Sequence, residues 1–170
     1  MSMTHYMELL TTPLNLLLFM AIPVVLAETL AITEFYILYN NVKSGPVRAL
    51  NRAAGIIVGV YFVGVFVYLL LNAVVPLTQT GQWRGWIDVL AVGSYLAGVV
   101  PLGGIAALEL GLIWRGADDR KKLAVHAALI SLFLVVGHVA MVFGMVDPRL
   151  GGWTGETAGA ASSGDMKHSH

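Results

Sequence analysis

The sequence predicts an all-α protein: a four-helix transmembrane bundle with both termini on the outer, non-cytoplasmic side and a flexible tail behind the last span. Two observations predict it. The chain is 57% hydrophobic and 12% charged, whereas a soluble domain carries about a quarter of its residues as Asp, Glu, Lys and Arg. Its apolar residues also fall into four charge-poor runs, each near or above the roughly 20 residues a helix needs to cross about 30 Å of hydrocarbon. With 170 residues there is room for one domain.

The first run extends from Pro13 to Leu38, and Pro13 suits a helix start because its missing N–H costs nothing there. The second, Ala53 to Pro76, contains no charge. The third runs from Ile87 to Trp114 and the fourth from Leu123 to Val146. None alternates with period two, so membrane-spanning strands are excluded. Pro23 and Pro101 lie inside the first and third runs and should kink or loosen them, freeing carbonyls. Gly55 and Gly59 form a small-xxx-small pair that lets backbones approach, and contacts within one bundle are the expected use. From Asp147 to His170 the composition turns to Gly, Ala, Ser and Thr, the signature of a flexible tail.

The basic residues set an expected orientation. Lys43, Arg48 and Arg52 cluster after the first run, and Arg115, Arg120, Lys121 and Lys122 after the third. The N-terminal tail has no basic residue, the Leu77–Trp86 loop only Arg84, and the C-terminal tail only Arg149 and Lys167. The positive-inside rule puts the two basic loops in the cytoplasm. Tyr36, Tyr39 and Trp114 then lie near the inner interface and Trp83, Trp86 and Trp153 near the outer one, as interfacial aromatics should.

Several function classes drop out. Lys+Arg and Asp+Glu balance at 10 each, so no net field recruits nucleic acid. The absence of cysteine removes disulfides and thiolate metal sites. The start of the chain, with acidic Glu8 and no basic n-region, argues against a cleaved signal peptide. No Gly-rich phosphate loop, zincin motif or Ser-His-Asp arrangement is visible, which argues against a soluble-type enzyme.

Ionisable side chains inside a span are costly and point to function or to structural pairing. Counting about 1.5 Å per residue from the basic ends, Glu34 lies about 6 Å in, Glu109 about 7 Å and His126 about 5 Å. Three helices thus place two carboxylates and an imidazole in one layer, with Arg52 at the foot of the second. Such a layer is either a hydrogen-bonded structural cluster or a site for protons or a divalent cation. Glu28 lies about 15 Å in, near the midplane, where it must be protonated, paired or lining a hydrated cavity. Thr29, Thr33 and Tyr61 are its expected hydrogen-bonding neighbours.

His126 and His138 sit on one helix about 18 Å apart and cannot clamp one haem, and no other span offers a histidine, so haem is disfavoured. His138 with Met141 and Met145, and the terminal His5, His168 and His170 with Met1, Met3, Met7 and Met166, form thioether–imidazole groups of the kind that suits copper. Methionines in apolar helices are also common filler.

The segment Leu26-Ala27-Glu28-Thr29-Leu30-Ala31-Ile32-Thr33 resembles the first helix of the small multidrug-resistance exporters, which implies Glu28 as a proton-coupling group. The whole chain resembles small uncharacterised bacterial four-helix proteins labelled permeases, which implies a multi-pass protein of the bacterial cytoplasmic membrane. The leading expectation is therefore a permease-like protein handling a cation or protons through Glu28, Glu34, Glu109 and His126. A copper- or haem-binding redox subunit and a non-catalytic assembly subunit are the alternatives. Four spans enclose little space, so each reading favours a homo-oligomer or a larger membrane complex.

Overall fold

A computed structural model describes residues 3–114, 116 and 118–155. A short helix α1 (His5–Leu10) precedes four long helical stretches: α2 (Pro13–Asn40), α3 (Pro46–Thr80), α4 (Trp86–Glu109) and α5 (Asp119–Met145). These are the four segments long and apolar enough to span a membrane, and among the described residues there is no strand. Large apolar side chains such as Ile32, Phe35, Leu71, Val100 and Val135 stand exposed on the outer faces, because lipid rather than water is their solvent. The chain is a multi-pass membrane protein.

Two boundaries differ from the sequence reading. Helix α3 begins at Pro46, well before Ala53, so Arg48 and Arg52 ride on its first turns instead of a loop. Pro46 at its start and Gly45 before it, with φ 120°, set that entry. Helix α4 ends at Glu109 rather than Trp114, since Gly111 and Trp114 both take positive φ, a conformation that ends a helix.

The helices pack in ring order, α2 on α3, α3 on α4 and α4 on α5, and the α2–α5 seam is the most lightly packed. Close approach of α3 and α4 depends on Gly59: a Cβ there would lie 2.4 Å from both the Leu102 carbonyl and the Ala106 methyl. Gly55 one turn earlier faces Ile105 and the His126 ring, so the pair serves contacts within the bundle.

Helices α2 and α3 share one irregularity. Each carries a π-helical turn, Leu17–Ala21 and Leu70–Val74, and each turn ends two residues before a proline, Pro23 and Pro76. A proline has no N–H for the carbonyl four residues back and its ring crowds that carbonyl, so the helix widens locally. In α2 neighbouring helices supply the missing donors: Tyr61 gives its hydroxyl to the Leu18 carbonyl at 2.8 Å, and Tyr95 gives its own to the Phe19 carbonyl. The kink expected at Pro101 appears as a break in α4 at Gly98, against which the Phe133 ring packs.

Both described ends of the chain meet at one end of the bundle, opposite the basic loops. Helix α1 folds back over α4 and α5, with Thr4 donating to the Gly144 carbonyl at 2.7 Å. The tail expected to be loose from Asp147 starts instead with a 3-10 turn, Pro148–Gly151, whose Gly151 packs against Trp86 and Ile87. Pro148 is buried, and Asp147 accepts from the Arg149 N–H at 3.0 Å to start the turn. The rest of the predicted tail, from residue 156 onward, lies outside the described residues.

Candidate functional site

At the basic end, polar side chains from α2, α3, α4 and α5 come into contact. Glu34 on α2 is 2% exposed and His126 on α5 is 1% exposed, with His126 Nδ1 2.7 Å from Glu34 Oε2. The opposite ring nitrogen, Nε2, lies 3.6 Å from Glu109 Oε1 on α4. Glu109 in turn faces Arg52 on α3, whose Nε is 3.8 Å from Oε2 and whose NH2 donates to the Glu109 carbonyl at 3.2 Å. The result is a line of alternating groups, Glu34–His126–Glu109–Arg52, running from a dry interior to a side chain that is 64% exposed.

Asn51 anchors the inner end. Its amide donates to Glu34 Oε2 at 3.1 Å, to the Thr33 hydroxyl at 2.9 Å and to the Leu30 carbonyl at 3.3 Å. Even so, Glu34 Oε1 and both nitrogens of His126 lack an aligned hydrogen bond. The 2.7 Å approach to Glu34 is short enough for an ion pair but out of line with the ring N–H. Unsatisfied buried polar groups are rare in native proteins and expensive, and here three fall on the single Glu34–His126 pair. Above this line the bundle is dry: Leu30, Val58, Phe62, Leu102 and Ile105 are all 0% exposed. Below it a cavity of about 300 Å³ opens, with Glu109 and His126 in its wall.

Glu28 stands apart. It is exposed on the surface of α2 and, among the described residues, makes no hydrogen bond or ion pair. Its expected neighbours are committed elsewhere: Tyr61 bonds the Leu18 carbonyl, Thr29 the Val25 carbonyl, and Thr33 the carbonyls of Thr29 and Leu30. Serine and threonine hydroxyls fold back onto their own helix whenever no closer acceptor is offered. Glu28 instead borders a crevice of about 140 Å³ in the α2–α5 seam, together with His138 and Met141. His138 Nδ1 lies 2.6 Å from the Leu134 carbonyl, while Met145 is 61% exposed and outside that crevice.

At the other end His5 is held by a residue that the sequence reading passed over. Asp88 is 0% exposed and accepts from the His5 N–H at 2.7 Å and the Arg84 N–H at 3.2 Å, with His5 Nδ1 at 2.6 Å. Arg84 completes the clasp by pairing with Glu8 at 2.6 Å and donating to the Met3 carbonyl. Its signal was an acid in the first turn of the third span just after Gly85, a position that stabilises a helix start and so hides among ordinary caps. His168, His170, Met1 and Met166 lie outside the described residues. Among the described residues, no group of three or more His, Asp and Glu side chains is arranged to hold a metal ion.

No curated protein and no solved structure matches the chain. Residues 1–160 match DUF6803, a family of unknown function, and the chain belongs to that family.

Proposed function

We propose that this protein is permease-like and handles protons through Glu34, His126 and Glu109, loaded from the end of the bundle that carries the basic loops. The carrying observation is the imidazole of His126, buried between two carboxylates with no aligned hydrogen bond on either nitrogen. An imidazole can take a proton on one nitrogen and release one from the other, and a carboxylate on each side stabilises the charged intermediate. Glu109, 23% exposed and bordering the cavity, is the entry group; Glu34 is the inner one.

The dry layer of Leu30, Val58, Phe62, Leu102 and Ile105 leaves no route up the centre of a single bundle. Transfer across the membrane therefore calls for helix movement, and the widened turns at Leu17–Ala21 and Leu70–Val74 are suitable places for it. The positive-inside rule places the loading end in the cytoplasm. Glu28, exposed on the surface of α2 and without a partner among the described residues, favours a homo-oligomer or a partner subunit that covers it.

The test is proton uptake into liposomes holding the purified protein and a trapped pH-sensitive dye, under an imposed gradient. Uptake should fall at least about tenfold in Glu34→Gln and in His126→Gln, since each variant keeps its bulk and loses its titration. Undiminished uptake in both, or none above empty liposomes in the unaltered protein, rejects the reading in favour of a structural cluster.

A further inference from the structure

The cavity at the basic end has a charge pattern that proton transfer does not use. Its wall carries Arg48, Arg52 and Lys122 together with Asn51, Glu109 and His126. Glu109 is already tied to Arg52. The side chains of Arg48 and Lys122, which share this wall, make no ion pair or hydrogen bond among the described residues. They lie in the first turns of α3 and α5, and the start of α3, which carries no acid, adds positive potential to the same space. The floor includes His126, 99% buried and without an aligned hydrogen bond on either ring nitrogen.

We infer that this cavity binds a phosphate group, held by Arg48 and Lys122 with His126 at its base. Guanidinium and ammonium donors from two helices suit a group with several charged oxygens, and the acid-free amino-terminus of α3 suits an anion. About 300 Å³ leaves room for the phosphate and for atoms attached to it. The cavity lies where α3 and α5 begin and α4 ends, the level at which a bilayer changes from hydrocarbon to headgroups. A phospholipid headgroup or a small phosphorylated solute presents the same chemistry there. Arg48 and Lys122, which carry the binding, take no part in the proposed proton line, and only His126 is shared with it.

Binding is measured at equilibrium and fixed pH on the protein purified in a neutral detergent, with no gradient present. The probes are inorganic phosphate, dioctanoyl phosphatidic acid and, as the zwitterionic comparison, dioctanoyl phosphatidylcholine. Phosphatidic acid or inorganic phosphate should bind, more weakly as salt rises, and phosphatidylcholine should bind less well. Arg48→Gln combined with Lys122→Gln should weaken binding about tenfold or more. Lys43→Gln combined with Lys121→Gln removes the same charge from exposed positions outside the cavity and should leave it unchanged. Should the double variant lose helicity, Arg48→Lys and Lys122→Gln alone serve, the first keeping binding and the second losing part of it. Binding of phosphate without lipid assigns the site to a solute, and binding of phosphatidic acid alone assigns it to lipid. Failure of both probes to bind, or equal weakening by the two double variants, overturns the inference.

Discussion

The hydroxyl of Tyr95 on α4 donates to the carbonyl of Phe19 on α2, the carbonyl for which Pro23 has no N–H to give. Tyr61 does the same for Leu18 at 2.8 Å, so one irregular turn is held from two neighbouring helices. A proline inside a span is tolerated where neighbours satisfy the backbone it frees. Tyr95→Phe should therefore destabilise the bundle by about 0.6–1.7 kcal/mol, the range for hydrogen bonds between membrane helices. Tyr61→Phe should cost a similar amount, and the double variant should depart from additivity because both bonds brace one turn. Unfolding followed by circular dichroism in mixed micelles reads this, and two independent, additive losses would separate the tyrosines.

Gly59 is the tightest point of the α3–α4 contact. Gly59→Ala puts a methyl 2.4 Å from the Leu102 carbonyl, a backbone atom that cannot swing aside. The helices must separate, with a loss of about 1–3 kcal/mol. Gly64→Ala, with nothing within 4 Å of the added carbon, should be neutral or slightly stabilising. Similar midpoints for the two variants in the same unfolding assay would contradict this packing.

Glu34 and His126 differ from the packed glycines because removing either strands a partner in the dry interior. Glu34→Ala takes one of three acceptors from the Asn51 amide and the neighbouring carboxylate from the buried His126 ring, and should cost about 1–3 kcal/mol. Glu34→Leu together with His126→Leu removes both polar groups and should be far less costly than the sum of the two single changes. A plain sum of the two would show that the side chains do not interact.

Asp88 ties the amino-terminal helix to the bundle through His5 and Arg84. In Asp88→Ala the first ten residues should exchange their amide hydrogens faster, while those of α3 and of the basic end remain protected. Uniform acceleration along the whole chain would mean that Asp88 instead supports global stability.

Burial pushes the Tyr6 hydroxyl up to about 12 from its ordinary value of 10.0. The folded protein then holds this proton at pH values where the unfolded chain releases it, so the contribution to stability is complete below pH 10.0 and is lost as pH rises toward about 12. Unfolding measured across that interval should show a smaller loss in Tyr6→Phe, which has no proton to release. Matching alkaline profiles would place Tyr6 in water.

Four spans, their shared ends and one polar layer were legible in the sequence because they depend on length, charge and depth. Apolar runs near 20 residues must cross the bilayer, and an even number of crossings returns the chain to its starting side. Counting residues from the basic ends put Glu34, Glu109 and His126 at one height, and they meet there. Facing was not legible. In lipid both the inner and the outer side of a helix are apolar, so no stripe tells which residues turn inward. Tertiary packing alone decided that Glu34 points into the bundle while Glu28, on the same helix, stands exposed on its surface without a partner among the described residues. It also decided that Tyr61 and Tyr95 serve the carbonyls before Pro23, and that Asp88 clasps His5 from 83 residues away. These pairings join distant parts of the chain, and only the way the helices rotate against one another brings them together.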